Sequence, residues 1–143
     1  MAGPPLRAFL AASPGDRLQY FRAVLTLPLA QLALRSVGYP RLVRRLGGSP
    51  RKPAGEITGL LRSRHRAVER AGRYLPWKTT CLDRSFTLWW LLRRDGVPAT
   101  LRIGVRRGET AVEAHAWVEH DGHAINDSPD VTERYAPFDA PLR

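Results

Sequence analysis

A chain of 143 residues, 43% hydrophobic and 25% charged, is long enough to bury a core without disulfides or a metal and too apolar to stay disordered. Its single cysteine excludes an internal disulfide framework and suits a reducing, cytoplasmic compartment. The net charge of +10 belongs to the first half: residues 1–73 hold 14 Lys and Arg against 3 Asp and Glu, while residues 74–143 hold 9 against 10. Such an imbalance favours an acidic partner, whether nucleic acid, an anionic membrane surface or an acidic peptide.

No signal-peptide layout is read over residues 1–13. Ser13-Pro14-Gly15-Asp16 predicts a helix start, with Ser13 as N-cap and Pro14 at the first helical position. Pro28 is expected to end or kink that helix, leaving a second piece over Pro28 to Val37, closed by Gly38, and a short third over Arg41 to Leu46. The longest apolar run, Ala23 to Leu34, contains Pro28 and falls short of the roughly 20 residues needed to span a bilayer, so a soluble, cytoplasmic protein is expected, and no membrane is counted among its partners.

Residues 47–55 have the composition of a flexible linker, which divides the chain into a basic helical arm with linker (1–55) and a core (56–143). Beyond it, Ile57, Leu60, Leu61, Val68, Ala71 and Leu75 recur at helical spacing and stop at Pro76. Thr80-Cys81-Leu82-Asp83 predicts another helix start, with Thr80 and Asp83 in a capping box and Cys81 first in the helix. Apolar residues on every face of that helix make it the buried central one, and Asp95-Gly96-Val97-Pro98 ends it.

From Ala99 the period becomes two. Leu101, Ile103 and Val105 mark one strand; Val112, Ala114, Ala116 and Val118 mark a second, with His115 and Trp117 on its other face. A third short strand, His123 to Asp127, follows the turn at Asp121-Gly122. The fold class expected is α+β, a helix carrying the cysteine at its N-terminus packed on an antiparallel sheet.

The candidate chemistry is nucleophilic. A thiolate attacks, so a catalytic cysteine belongs where negative charge is stabilised, and a helix N-terminus and a neighbouring imidazolium both do this. Cys81 is the candidate nucleophile, His115 the base and Asp127 the acid that orients it. Trp77 and Trp117 are the candidates for lining a substrate groove, and Trp77 carries an indole N–H that an oxyanion could accept; packing is the alternative role for each, and the favoured one for that indole. Arg84 is expected to pair with an acid inside the fold, with contact to substrate as the alternative. His65, His120 and His123 have no metal-ligand spacing, so neither a metal nor a cofactor is predicted.

For His115 and Asp127 to meet in a regular ladder they must share a face. A two-residue turn at Asp121-Gly122 pairs 116 with 127 and separates them; a three-residue loop, His120-Asp121-Gly122, pairs 119 with 123 and sets 115 opposite 127. The three-residue register is therefore predicted.

Trp77-Lys78-Thr79-Thr80-Cys81-Leu82-Asp83-Arg84-Ser85, Ala99-Thr100-Leu101-Arg102-Ile103-Gly104-Val105, Ala114-His115-Ala116-Trp117-Val118-Glu119 and Ile125-Asn126-Asp127 together resemble the leader peptidases of lasso-peptide biosynthesis, a branch of the transglutaminase-like, papain-related cysteine enzymes. The close match covers about residues 76–130. The resemblance implies a transglutaminase-like core, catalytic Cys81, His115 and Asp127, and removal of a leader peptide from a ribosomal precursor. It also implies three partners: the precursor's leader, a separate small leader-recognition protein, and a cyclase. An acyltransferase or an inactive scaffold on the same fold is the alternative reading. A basic nucleic-acid-binding module is the second, but the aromatic residues sit away from the basic half and no nucleic-acid motif appears, so no nucleic-acid partner is expected.

Overall fold

The computed structural model describes residues 10–48, 52, 53 and 55–137. In chain order the elements are α1 (Pro14–Ser36), α2 (Tyr39–Leu46), α3 (Ile57–Tyr74), α4 (Cys81–Arg94), β1 (Thr100–Arg107), β2 (Val112–His120), β3 (His123–Ala124), α5 (Val131–Arg134) and β4 (Ala136–Pro137). The class is α+β, with an antiparallel sheet in the order β3-β2-β1-β4.

Ser13 caps α1 as its sequence requires, its Oγ accepting the Asp16 N–H at 3.1 Å. The expected break at Pro28 does not occur: α1 runs unbroken for 23 residues with Pro28 inside it. Burial on both sides of the proline holds the helix through the lost backbone bond. Ala23 and Leu27 precede it, Ala30 and Gln31 follow it, and all four are buried. The outer face of α1 presents Leu18, Leu25, Leu29 and Leu32 to solvent.

α1 and α2 share the main core with α3 and α4. Ala23, Leu27, Leu42 and Val43 belong to one hydrophobic cluster with Val68, Leu88, Trp89 and Leu92. Each large side chain buried this fully contributes about 1.5–3 kcal/mol. The inner faces of the arm helices therefore lie in the core, while part of the linker separating them from α3, residues 49–51 and 54, lies outside the described residues.

At the far end of α4 the chain stops as its Gly predicts. Gly96 takes φ 86°, and the Val97 N–H returns to the Leu92 carbonyl at 2.9 Å. The carboxylate of Asp95 ties this end to two other helices, accepting from Arg22 of α1 at 3.0 Å and from Arg64 of α3 at 2.7 Å.

The sheet is covered on both faces over only part of its length. Along β2 the run Ala116 to Glu119 is buried, whereas Val112 is 71% exposed. Leu101 and Val118 pack in the main core, while Trp117, Val131 and Tyr135 form a second cluster. The strict alternation expected of β2 breaks for this reason: α4 lies over one face and the α5 region over the other.

Candidate active site

Three backbone events build the site. The first is the start of α4, where the predicted capping box is present: Thr80 Oγ1 accepts the Asp83 N–H at 3.1 Å and the Thr80 N–H donates to Asp83 Oδ2 at 2.9 Å. A helix start leaves its first N–H groups without helical acceptors, and the box takes those of Thr80 and Asp83. The N–H groups of Cys81 and Leu82 are the two it does not take. Cys81, a half-buried free thiol, thus sits where the helix concentrates positive partial charge and outward-directed donors.

The second event sets the imidazole on β2. His115 lies across from Gly104 of β1, and its ring stacks on Trp117 at 6.1 Å and packs on Tyr135 at 4.9 Å. Gly104 makes this possible. A Cβ there would stand 2.8 Å from the Trp117 ring and 3.0 Å from Tyr135 Cβ, so only glycine lets the rings lie over the strand.

The third event brings up the carboxylate, by a route the register argument did not foresee. The turn after β2 is the two-residue one: His120 pairs with His123 and Glu119 with Ala124, and Asp121 and Gly122 both take positive φ, 49° and 77°. The predicted three-residue loop is absent, because two consecutive left-handed residues make the tight hairpin turn. In a continued ladder this register would turn Asp127 away from His115. Instead β3 ends at Ala124, the Ile125 N–H makes a last bond to the Val118 carbonyl at 2.8 Å, and the chain bends over residues 125–127. Asn126 replaces the ladder: its Oδ1 accepts the Val118 N–H at 2.8 Å, and its Nδ2 donates to Ser85 Oγ of α4 at 2.9 Å. With Asn126 drawn towards α4, Asp127 swings to the imidazole, and its Oδ2 meets His115 Nε2.

Burial alone would push the Asp127 carboxyl up. The bonds from His115 and the Ser128 N–H outweigh this and hold it below the usual carboxylate range. Its second oxygen accepts the Ser128 N–H at 2.7 Å and Arg134 Nη2 at 2.9 Å. The acid thus faces a histidine on one side and a guanidinium on the other.

Cys81 and His115 make no hydrogen bond to each other, but the contact that fixes their relative position is short. Ser85, one turn after Cys81, donates its hydroxyl to the carbonyl of Ala116, the residue after His115, at 3.0 Å. The start of α4 is thereby tied to β2 one helical turn after Cys81 and one residue after His115. Thiol–base contacts commonly close only when substrate arrives.

A family model described as the transglutaminase-like superfamily matches residues 23–139. The chain belongs to that superfamily. No curated protein and no solved structure gives a significant match. The match begins inside α1, the helix whose buried face meets the start of α4.

In this transglutaminase-like chain the two tryptophans proposed for substrate separate. Trp117 is fully buried, packs with Val131 and Tyr135, and donates its indole N–H to Glu119 at 2.9 Å; it lines no groove, because Val131 and Tyr135 of the α5 region cover its face. Trp77 is 47% exposed, but its N–H is committed to Gln31 Oε1 at 2.6 Å and is not free for an oxyanion. Gln31, buried on α1, also donates to Asp83 Oδ2 at 2.9 Å and to the Lys78 carbonyl at 3.3 Å. One arm residue thereby holds both the capping acid of α4 and the segment leading to Cys81.

Gln31, Ser85, Asn126 and Arg134 are the site residues that sequence reasoning missed. Ser85 and Asn126 stood inside the resembling motifs with no role attached. Gln31 carried a weak signal, an amide in an otherwise apolar run. Arg134 carried none, since it acts only through the short α5. Arg84 pairs with Glu69 at 3.4 Å, as expected of it.

Proposed function

We propose that this chain is a cysteine peptidase that removes the leader from a ribosomally synthesised lasso-peptide precursor, with Cys81 as nucleophile, His115 as base and Asp127 as orienting acid. The observation that carries the reading is the contact of His115 Nε2 with Asp127, in a chain whose one cysteine opens a buried helix. Membership of a superfamily that includes cysteine peptidases and acyltransferases supports the class.

With Nε2 turned to the carboxylate, Nδ1 is the nitrogen left to exchange a proton with the thiol. Cys81 passes its proton to His115, and the sulfur attacks the carbonyl carbon of the leader's last residue. The oxyanion is met by the N–H groups of Cys81 and Leu82. The C–N bond then breaks, the departing amine takes the proton from His115, and the leader remains on sulfur as a thioester. Water gives a proton to His115 and adds to the thioester carbon; the C–S bond breaks, the leader leaves as a free acid, and the sulfur regains its proton. Asp127 fixes the imidazole and stabilises its cationic form throughout.

On this reading the precursor's leader, a small recognition protein and a cyclase are the partners. The test incubates wild type and Cys81→Ala with precursor and recognition protein and weighs the products. Free leader ending in a carboxylate, from wild type alone, is expected. Leader joined through an amide to an added amine would place the chain among acyltransferases, and cleavage by Cys81→Ala would end the proposal.

A further inference from the structure

A cleft of about 410 Å³ opens between the end of α3 and the loop entering α4. Gly72, Arg73, Trp77, Lys78, Thr79 and Arg84 are among the residues that line it. Three of these are cations, and no carboxylate is among the lining residues. The nearby acid, Glu69, meets Arg84 at 3.4 Å, whereas Arg73 and Lys78 are exposed and enter no ion pair among the described residues. Arg84 Nε is buried without a hydrogen-bond partner. Gly72 forms a wall that a side chain would obstruct: a Cβ there would come within 2.9 Å of Arg84 Cδ and 3.2 Å of Thr79 Oγ1.

The place of the cleft relative to the thiol gives it meaning. Arg84 stands three residues after Cys81, and residues at that spacing are neighbours on a helix surface. Lys78 and Thr79 are the third and second residues before Cys81. Ser85, four after it, touches β2 beside His115, while Arg84 leans against α3. On the helix surface Cys81 thus has Ser85, which meets β2, one turn away on one side and Arg84, which lines the cleft, on the other. Beside the three cations the half-exposed indole of Trp77 gives the cleft a flat apolar wall.

The geometry points to a specificity subsite: the cleft takes an acidic side chain of the substrate close to the bond that is cut, through Arg73, Lys78 and Arg84. This rests on the peptidase reading for the word substrate, but the anion preference beside Cys81 is testable without it. Arg73 and Lys78 supply most of the free charge beside the Glu69-paired Arg84, and Trp77 packs the methylenes of a Glu. The attraction is screened by salt, since the Debye length is about 10 Å at 0.1 M.

Two experiments on the full chain test it. In the first, Cys81 is alkylated with iodoacetate and, separately, with iodoacetamide, and the rate ratio is compared with that of N-acetylcysteine by intact mass. The ratio cancels the intrinsic reactivity of the thiol. Wild type should favour iodoacetate by on the order of tenfold over the free thiol. Arg73→Gln/Lys78→Gln, both exposed positions, should lose most of that preference, as should 0.5 M salt. A wild-type ratio equal to that of the free thiol, or one unmoved by the double variant, overturns the subsite. In the second, a random decapeptide library is digested and the cut ends are read by mass spectrometry. Asp and Glu should be enriched within three residues of the cut bond, and the enrichment should fall in the double variant. Cutting without acidic enrichment removes the subsite and leaves the peptidase; anion-selective alkylation without any cutting keeps the cationic cleft and counts against the peptidase.

Discussion

Asn126 and Ser85 are joined by a hydrogen bond of 2.9 Å that ties the bend carrying Asp127 to the helix carrying Cys81. The same amide closes the end of β2 by accepting the Val118 N–H. Asn126→Ala removes an acceptor from a backbone donor and a donor from a buried hydroxyl, so a loss of about 1–3 kcal/mol in urea denaturation is expected. Ser85→Ala breaks the same link from the other side. The double variant should lose less than the sum of the two by about 1 kcal/mol, and strictly additive losses would show that the link carries no energy.

The carboxyl of Asp127 is held low in the folded state, chiefly against the opposing effect of its burial, by His115 and Ser128. A group depressed in this way adds stability above its unfolded value, near 3.9, and loses it as pH falls through the folded one. The stability difference between wild type and Asp127→Asn should therefore be full at pH 7 and shrink steadily below about pH 4. In the proposed peptidase reaction, turnover by Asp127→Asn should drop by at least about 100-fold, since an amide does not stabilise the imidazolium. Undiminished turnover would remove Asp127 from the mechanism.

Asp95 at the end of α4 gathers Arg22 and Arg64. Its burial raises its carboxyl, but the bonds from both guanidinium groups pull it below the ordinary range. Asp95→Asn leaves two partly buried cations facing an amide and loosens α1 and α3 together. A loss of about 2 kcal/mol is expected, visible as a lower urea midpoint at pH 7 and converging with wild type in acid. Equal stability at pH 7 would mean that the pairs only balance their desolvation.

Gly104→Ala forces a methyl group into the Trp117 ring at a place where the nearest carbon stands at 2.8 Å. The expected loss is about 1–3 kcal/mol, with a changed near-ultraviolet dichroism from the displaced indole. Because His115 stacks on that ring, turnover should fall by more than the loss of folded protein explains. Intact turnover in folded Gly104→Ala would show that the imidazole does not depend on the stack.

Local chemistry wrote much of the framework into the chain. The Ser13 cap, the Thr80–Asp83 box and the Gly96 stop each act over three or four residues, and all three stand as read. Pro28 shows the limit of such rules. Its cost is local, but the burial of Ala23, Leu27, Ala30 and Gln31 that overrides it comes from helices distant in the chain. Trp117 shows the same limit, because α5, whose region covers it, is too short to carry a periodic signal.

Sequence alone determined which side chains could do chemistry here, since a sole cysteine at a helix start, a strand histidine and a later aspartate are matters of residue type and short-range pattern. Tertiary structure decided how the last two meet. The turn took the register that should have parted them, and a single asparagine, bonded to β2 and to α4, ended the ladder and rotated Asp127 to His115. Hydrogen bonds between residues 41 positions apart leave no trace in local periodicity, and so the meeting became visible only once the helix lay against the sheet.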